Sequence, residues 1–109
     1  MIKQYRPLVL GLSMAAALAA PAAFAENVKI AFIDPLSGPF APVGQNLLRS
    51  WQIVADAANQ GKWAGDNTIE INGFDNKASP QESLVQLKTA IDQGYRYIAQ
   101  GNGSVLPQP

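Results

Sequence analysis

Two aspartates are the first residues to weigh for chemistry. Asp34 and Asp75 each close an apolar run, Val28 to Ile33 and Ile69 to Phe74. A carboxylate pair can do acid–base work when a nucleophile, metal or imidazole stands beside it. Neither aspartate has such a neighbour in the sequence, and the chain contains no histidine and no cysteine. Imidazole and thiol catalysis, Cys or His metal sites and disulfide staples are thereby excluded, and both aspartates read as turn residues. Gly101-Asn102-Gly103 is half of a dinucleotide fingerprint, and it follows the third strand where the full motif would follow the first. Ser104 offers a hydroxyl beside loop amides, and reads equally as an ordinary cap or turn serine. Ser37 and Gly38 permit close backbone approach to a ligand, although a Ser-Gly-Pro turn needs no ligand to explain it. Phe40 either walls a pocket or anchors its loop. Trp51 falls on the apolar face of a helix and reads as core, while Trp63 lies in a connection on the far edge. This set supports binding rather than catalysis, with no metal or cofactor expected.

The elements that position these residues follow from periodicity. Val28 to Ile33 is nearly continuous apolar sequence, as for a parallel strand covered on both faces. Asp34 to Pro42 holds three prolines and a glycine and reads as a loop. Val43, Leu47, Trp51, Val54 and Ala58 then recur at helical spacing, with Gly61 as the stop. Ile69 to Phe74 alternates as a second strand. Ser79-Pro80-Gln81-Glu82 spells a helix start, with Ser79 as cap, Pro80 in the first turn and Glu82 closing a capping box. Leu84, Leu87, Ile91 and Tyr95 mark that helix's apolar face, Gly94 ends it, and Tyr97 to Gln100 makes a third strand. The order β-α-β-α-β predicts an α/β fold, the start of a doubly wound parallel sheet with right-handed crossovers. In the order 2-1-3, strand one is central, and ligands bind outside the carboxyl ends of the strands at that switch point. Pro35 to Ala41 and Gly101 to Ser104 meet there.

At these loops the sequence resembles a known family. Val28 to Gln45, Asp75 to Pro80, Gln93 to Ile98 and Gly101 to Ser104 resemble, in order, landmarks of the periplasmic substrate-binding proteins of branched-chain amino acid ABC transporters. The resemblance implies a type I periplasmic binding protein: two α/β lobes on a hinge, closing on a small amino-acid-like ligand and docking on an inner-membrane permease. It implies that Gly103 and Ser104 lie in the carboxylate-binding loop and that Ser37, Phe40 and Val43 border the ligand. Relatives often carry an aromatic residue at the Val43 position, so valine implies a different ligand shape. An exported flavodoxin-like enzyme is the competing class, disfavoured by the missing phosphate loop.

The first residues complete the reading. Lys3 and Arg6, the apolar stretch Leu8 to Ala20, and Ala23-Phe24-Ala25 have the form of a cleavable secretory signal, residues 1–25, with Ala23 and Ala25 as the small cleavage residues. The apolar stretch is short for a membrane span, which needs about 20 residues. Losing Lys3 and Arg6 from a balanced 8 basic and 8 acidic residues leaves residues 26–109 mildly acidic without a basic cluster. Nucleic acid and anionic membrane surfaces are therefore not expected partners. An exported, cysteine-free monomer in the periplasm is expected. Residues 26–109 read as the N-terminal part of the first lobe. Val105-Leu106-Pro107-Gln108-Pro109 cannot start the third helix of that family, so a truncated or frameshifted product, or a piece of a longer sequence, is expected, without independent binding.

Overall fold

The computed structural model describes residues 24–102; Ala23, Gly103 and Ser104 lie outside them. Three strands, β1 (Asn27–Asp34), β2 (Thr68–Asp75) and β3 (Tyr97–Ala99), alternate with the helices α1 (Ala41–Gln60) and α2 (Pro80–Asp92). The sheet is parallel in the order β2-β1-β3. The central strand is the most buried: Ala31, Phe32 and Ile33 are inaccessible or nearly so. Alternation along β1 splits its side chains between two cores. Phe32 packs with Ala55 of α1 and Ile71, joined by Leu47, Leu48 and Ala99. Ala31 packs with Ala90 of α2 and Tyr95, joined by Phe74. Each helix therefore covers one face of the sheet, as its near-continuous apolar strand requires.

The helix faces differ in part from those expected: Ala58 and Tyr95 are buried and Leu47 packs against the core as the spacing required, but other positions do not follow it. The buried residues of α1 are Gly44, Ala55 and Ala58, and of α2 Ser83 and Ala90. Val43, Trp51 and Val54, expected inside, are 53%, 41% and 59% exposed, as are Leu84 at 54% and Ile91 at 58%. Small residues let each helix axis come close to the sheet, and this turns the larger side chains sideways. Trp51 reaches Phe32 only at the rim of that core, with ring centroids 6.0 Å apart. On the other face, Tyr95 meets Phe74 edge-on at 5.2 Å and carries the Lys29 ammonium 4.2 Å above its ring.

Local signals explain the ends of the helices. The loop expected through Pro42 is shorter, because Gly38–Phe40 forms a 3-10 turn and α1 begins at Ala41. Pro42 falls in the first turn of α1, where a missing N–H costs nothing. Ser79 caps α2 by accepting from the Glu82 N–H at 3.3 Å. The capping box is not closed, since the Ser79 N–H donates instead to the Asn76 carbonyl at 2.9 Å. Gly94, at φ +87°, ends α2: its N–H bonds the Ile91 carbonyl while the Tyr95 N–H returns to Ala90. α1 stops at Gly61 as expected, and after it the same pair of bonds runs from Lys62 to Asn59 and from Trp63 to Ala58, with Lys62 in the left-handed conformation. Asn59 then turns to the open edge of β2, accepting from the Ile69 N–H and donating to its carbonyl, both at 2.8 Å. Gln52 donates to the Ile71 carbonyl at 3.2 Å. The edge strand thus has side-chain partners where its next neighbour would pair.

Candidate functional site

The carboxyl ends of β1 and β2 are in register, Asp34 opposite Asp75. Each carboxylate takes up backbone donors from a loop that is remote in sequence. Asp75 Oδ1 accepts from the Leu36 N–H and from the Lys77 N–H, both at 2.9 Å. The Ser37 hydroxyl is a further donor to this carboxylate. Burial pushes the Asp75 pKa up, but hydrogen bonds from Ser37, Leu36 and Lys77, helped by the Lys77 charge, outweigh it and hold the pKa below the ordinary value. The loop after β1 is thereby tied to the end of β2, and Gln45 adds a bond from its Nε2 to the Leu36 carbonyl at 3.0 Å.

Asp34 is wholly buried. Its Oδ1 accepts from the Asn102 N–H at 2.8 Å, across 68 residues of sequence. Gly44 and Gly101 stand against it. A Cβ on Gly44 would lie 1.8 Å from the Pro35 carbonyl oxygen, and one on Gly101 would lie 2.6 Å from Leu47 Cδ1 and 3.1 Å from Asp34 Oδ2. Glycine at both positions lets α1, the first loop and the third loop converge on one point.

The turn after β2 completes this end of the sheet. Lys77 and Ala78 have φ of +51° and +55°, a region in which residues with a Cβ are strained. Side-chain acceptors hold them there: Asp75 for the Lys77 N–H and Asn76 Oδ1 for the Ala78 N–H at 3.0 Å. Asn76 is itself buried and bonds Ser83 of α2 through Nδ2 at 3.0 Å.

Of the expected site residues, Ser37, Phe40 and Val43 lie together on the loop-to-helix segment at the carboxyl end of β1. Phe40 is 52% and Val43 53% exposed, so each presents apolar surface rather than filling the core. Ser37 caps the 3-10 turn position without bonding its backbone, its hydroxyl being engaged by Asp75. Gly103 and Ser104 are beyond the described residues, immediately after the anchored Asn102. Of the cleavage residues, Ala25 is exposed just before β1 and Ala23 is not described. The two aspartates read from the sequence as simple turn residues are the organising groups of this end. Their signal was present in their matching places at the ends of neighbouring strands.

A groove of about 320 Å³ lined by Glu26, Lys29, Arg96 and Tyr97 lies at the opposite, amino end of the strands. It shares no residue with the convergent loops, whereas ligands of such sheets generally bind at the carboxyl ends of the strands, where the strand order reverses. Among the described residues no group of acidic, His or Cys side chains is placed to hold a metal ion. No described helix is long and apolar enough to cross a membrane.

Comparison with known proteins agrees with this arrangement. The chain is 38% identical over 84 residues to Leu/Ile/Val-binding protein homolog 6 of Brucella abortus (strain 2308), covering 75% of this chain and 21% of that protein. It is 30% identical over 77 residues to the Leu/Ile/Val-binding protein of Escherichia coli (strain K12), and 27% identical over 77 residues to the Leu/Ile/Val/Thr-binding protein of Salmonella typhimurium. Each of these two matches covers 70% of this chain and 21% of the relative. The chain spans about a fifth of the length of these curated relatives. A family model described as periplasmic binding protein matches residues 27–106, from the first residue of β1 through the third loop, and on this match the chain belongs to the periplasmic binding protein family.

Proposed function

We propose that this chain contributes to the ligand-binding lobe of a periplasmic solute receptor for branched-chain amino acids or a related small amino-acid or amide ligand, which it delivers to an inner-membrane ABC permease. The observation that carries this reading is the convergence of two loops at the switch point of a sheet that falls within the family match. The names of the relatives supply the ligand class. Phe40 and Val43 offer exposed apolar surface suited to an aliphatic side chain. Gly103 and Ser104 follow directly on the anchored Asn102, where their amides and hydroxyl would suit the ligand's carboxylate. Ser37 shapes the same wall through its bond to Asp75. The activity is binding by a monomer.

Residues 1–25 act as the export signal in this reading. Cleavage after Ala25 leaves Glu26 with its nitrogen 2.8 Å from Asn67 Oδ1, so the new terminus is still held. The test is calorimetric titration of the exported protein, expressed with any coding sequence that continues it, against leucine, isoleucine, valine, threonine and their amides. Saturable binding of an aliphatic amino acid is expected. No binding to any of these ligands by the folded protein would refute the assignment.

A further inference from the structure

An aspartate is almost never fully buried unless it is paired, and Asp34 is fully buried. The ion pair formed among the described residues, Lys62 with Asp66, lies elsewhere. Among the described residues no cation therefore offsets Asp34, although an isolated buried charge is costly and an apolar side chain of similar size is often tolerated or better in such a place. What Asp34 does supply is a carboxyl acceptor at the foot of the third loop: Oδ1 takes the Asn102 N–H at 2.8 Å. Oδ2 is buried with no hydrogen-bond partner among the described residues. It faces the gap between Gly101 and Gly44, whose Cβ positions would be 3.1 and 3.4 Å from it. Gly44 belongs to the first turn of α1, which has no side-chain cap and no acidic residue of its own. The positive end of that helix therefore favours a carboxylate supplied from outside.

We propose that Asp34 is a positioning residue of the binding cleft, fixing the loop after β3 through Asn102 as Asp75 fixes the loop after β1. This rests on the receptor reading above for its link to ligand affinity, but the contact itself does not. Asn102 directs its N–H inward to Asp34, so that loop meets the ligand through other groups. The neighbouring titratable group is Asp75, which serves the other loop.

The test has two arms, both on the full chain with any sequence that continues it. In the first, NMR of the wild type is expected to show a downfield Asn102 amide and a scalar coupling across the hydrogen bond from its nitrogen to the Asp34 carboxylate carbon. Asp34→Leu should speed exchange of the Asn102 amide at least tenfold while the β1–β2 ladder stays protected. Asp34→Asn, which keeps an acceptor oxygen, should restore part of the protection, and Asp75→Asn should leave Asn102 unchanged. In the second arm, leucine affinity should fall at least tenfold in Asp34→Leu and recover in part in Asp34→Asn. A folded wild type without the coupling or the downfield shift, or an Asn102 amide indifferent to Asp34→Leu, overturns the proposal, and the coupling decides it even if that variant does not fold. Failure of the wild type to bind any amino acid would sink the receptor reading and leave the first arm to decide the role of Asp34.

Discussion

Replacing Gly44 with alanine sets two physical effects against each other. In an exposed helix interior alanine is better than glycine by about 1 kcal/mol, so helix propensity alone predicts stabilisation. Gly44 is buried, however, and its added Cβ would lie 1.8 Å from the Pro35 carbonyl oxygen and 2.8 Å from the carbonyl carbon. Those are backbone atoms of the loop after β1, so the loop or the start of α1 has to retreat by about an ångström or more. Overpacking of this kind costs about 1–3 kcal/mol, and a clash with backbone belongs at the upper end. The net expectation is a loss of about 2 kcal/mol after allowing for the helix propensity gain. With a urea dependence of about 1 kcal/mol per molar for a domain this small, the midpoint should fall by about 2 M. Ala57→Gly, at an exposed position of the same helix, calibrates the propensity effect and should lower the midpoint by about 1 M. A Gly44→Ala midpoint at or above the wild-type value would show that α1 does not approach the first loop as described.

Other substitutions test other contacts. Because the folded pKa of Asp75 lies below the ordinary 3.8, its contribution to stability is complete above that value and is lost as pH falls through the folded pKa. Asp75→Asn should therefore flatten the decline in urea midpoint below about pH 4, and equal acid limbs in the two proteins would contradict this. Asn59→Leu removes both bonds to Ile69 at the edge of β2. It should cost about 1–3 kcal/mol and raise aggregation by light scattering, whereas unchanged stability would mean that the edge is not held by this amide. Ala78→Gly relieves a left-handed residue and should raise stability by about 1 kcal/mol, read as a higher thermal midpoint. A lower midpoint would show that the turn is not strained there.

Much of the fold was legible before any tertiary contact was known. The near-continuous apolar run of β1 announced a central strand covered on both faces. Ser79-Pro80 placed the start of α2, and Gly94 its end, because capping and left-handed backbone are properties of a few adjacent residues. The order of elements led to the 2-1-3 sheet and hence to the end of it that carries the convergent loops. The rotation of the helices was not legible. Spacing marked Val43, Leu47, Trp51, Val54 and Ala58 as the inward face of α1; Ala58 is buried and Leu47 joins the core, but Val43, Trp51 and Val54 are displaced in favour of Gly44 and Ala55, since a helix settles where its small residues permit the closest approach.

The aspartates draw the same line most clearly. Sequence alone determined that Asp34 and Asp75 end strands, that neither has a histidine or cysteine to work with, and that both stand where a loop begins. That Asp34 is buried beneath Asn102, 68 positions away, and that Asp75 gathers donors from Leu36 and Ser37, was decided only by the tertiary structure. The reason is physical: a carboxylate's role depends on which donors surround it in space, and in a parallel sheet the loops that supply them come from different crossovers of the chain.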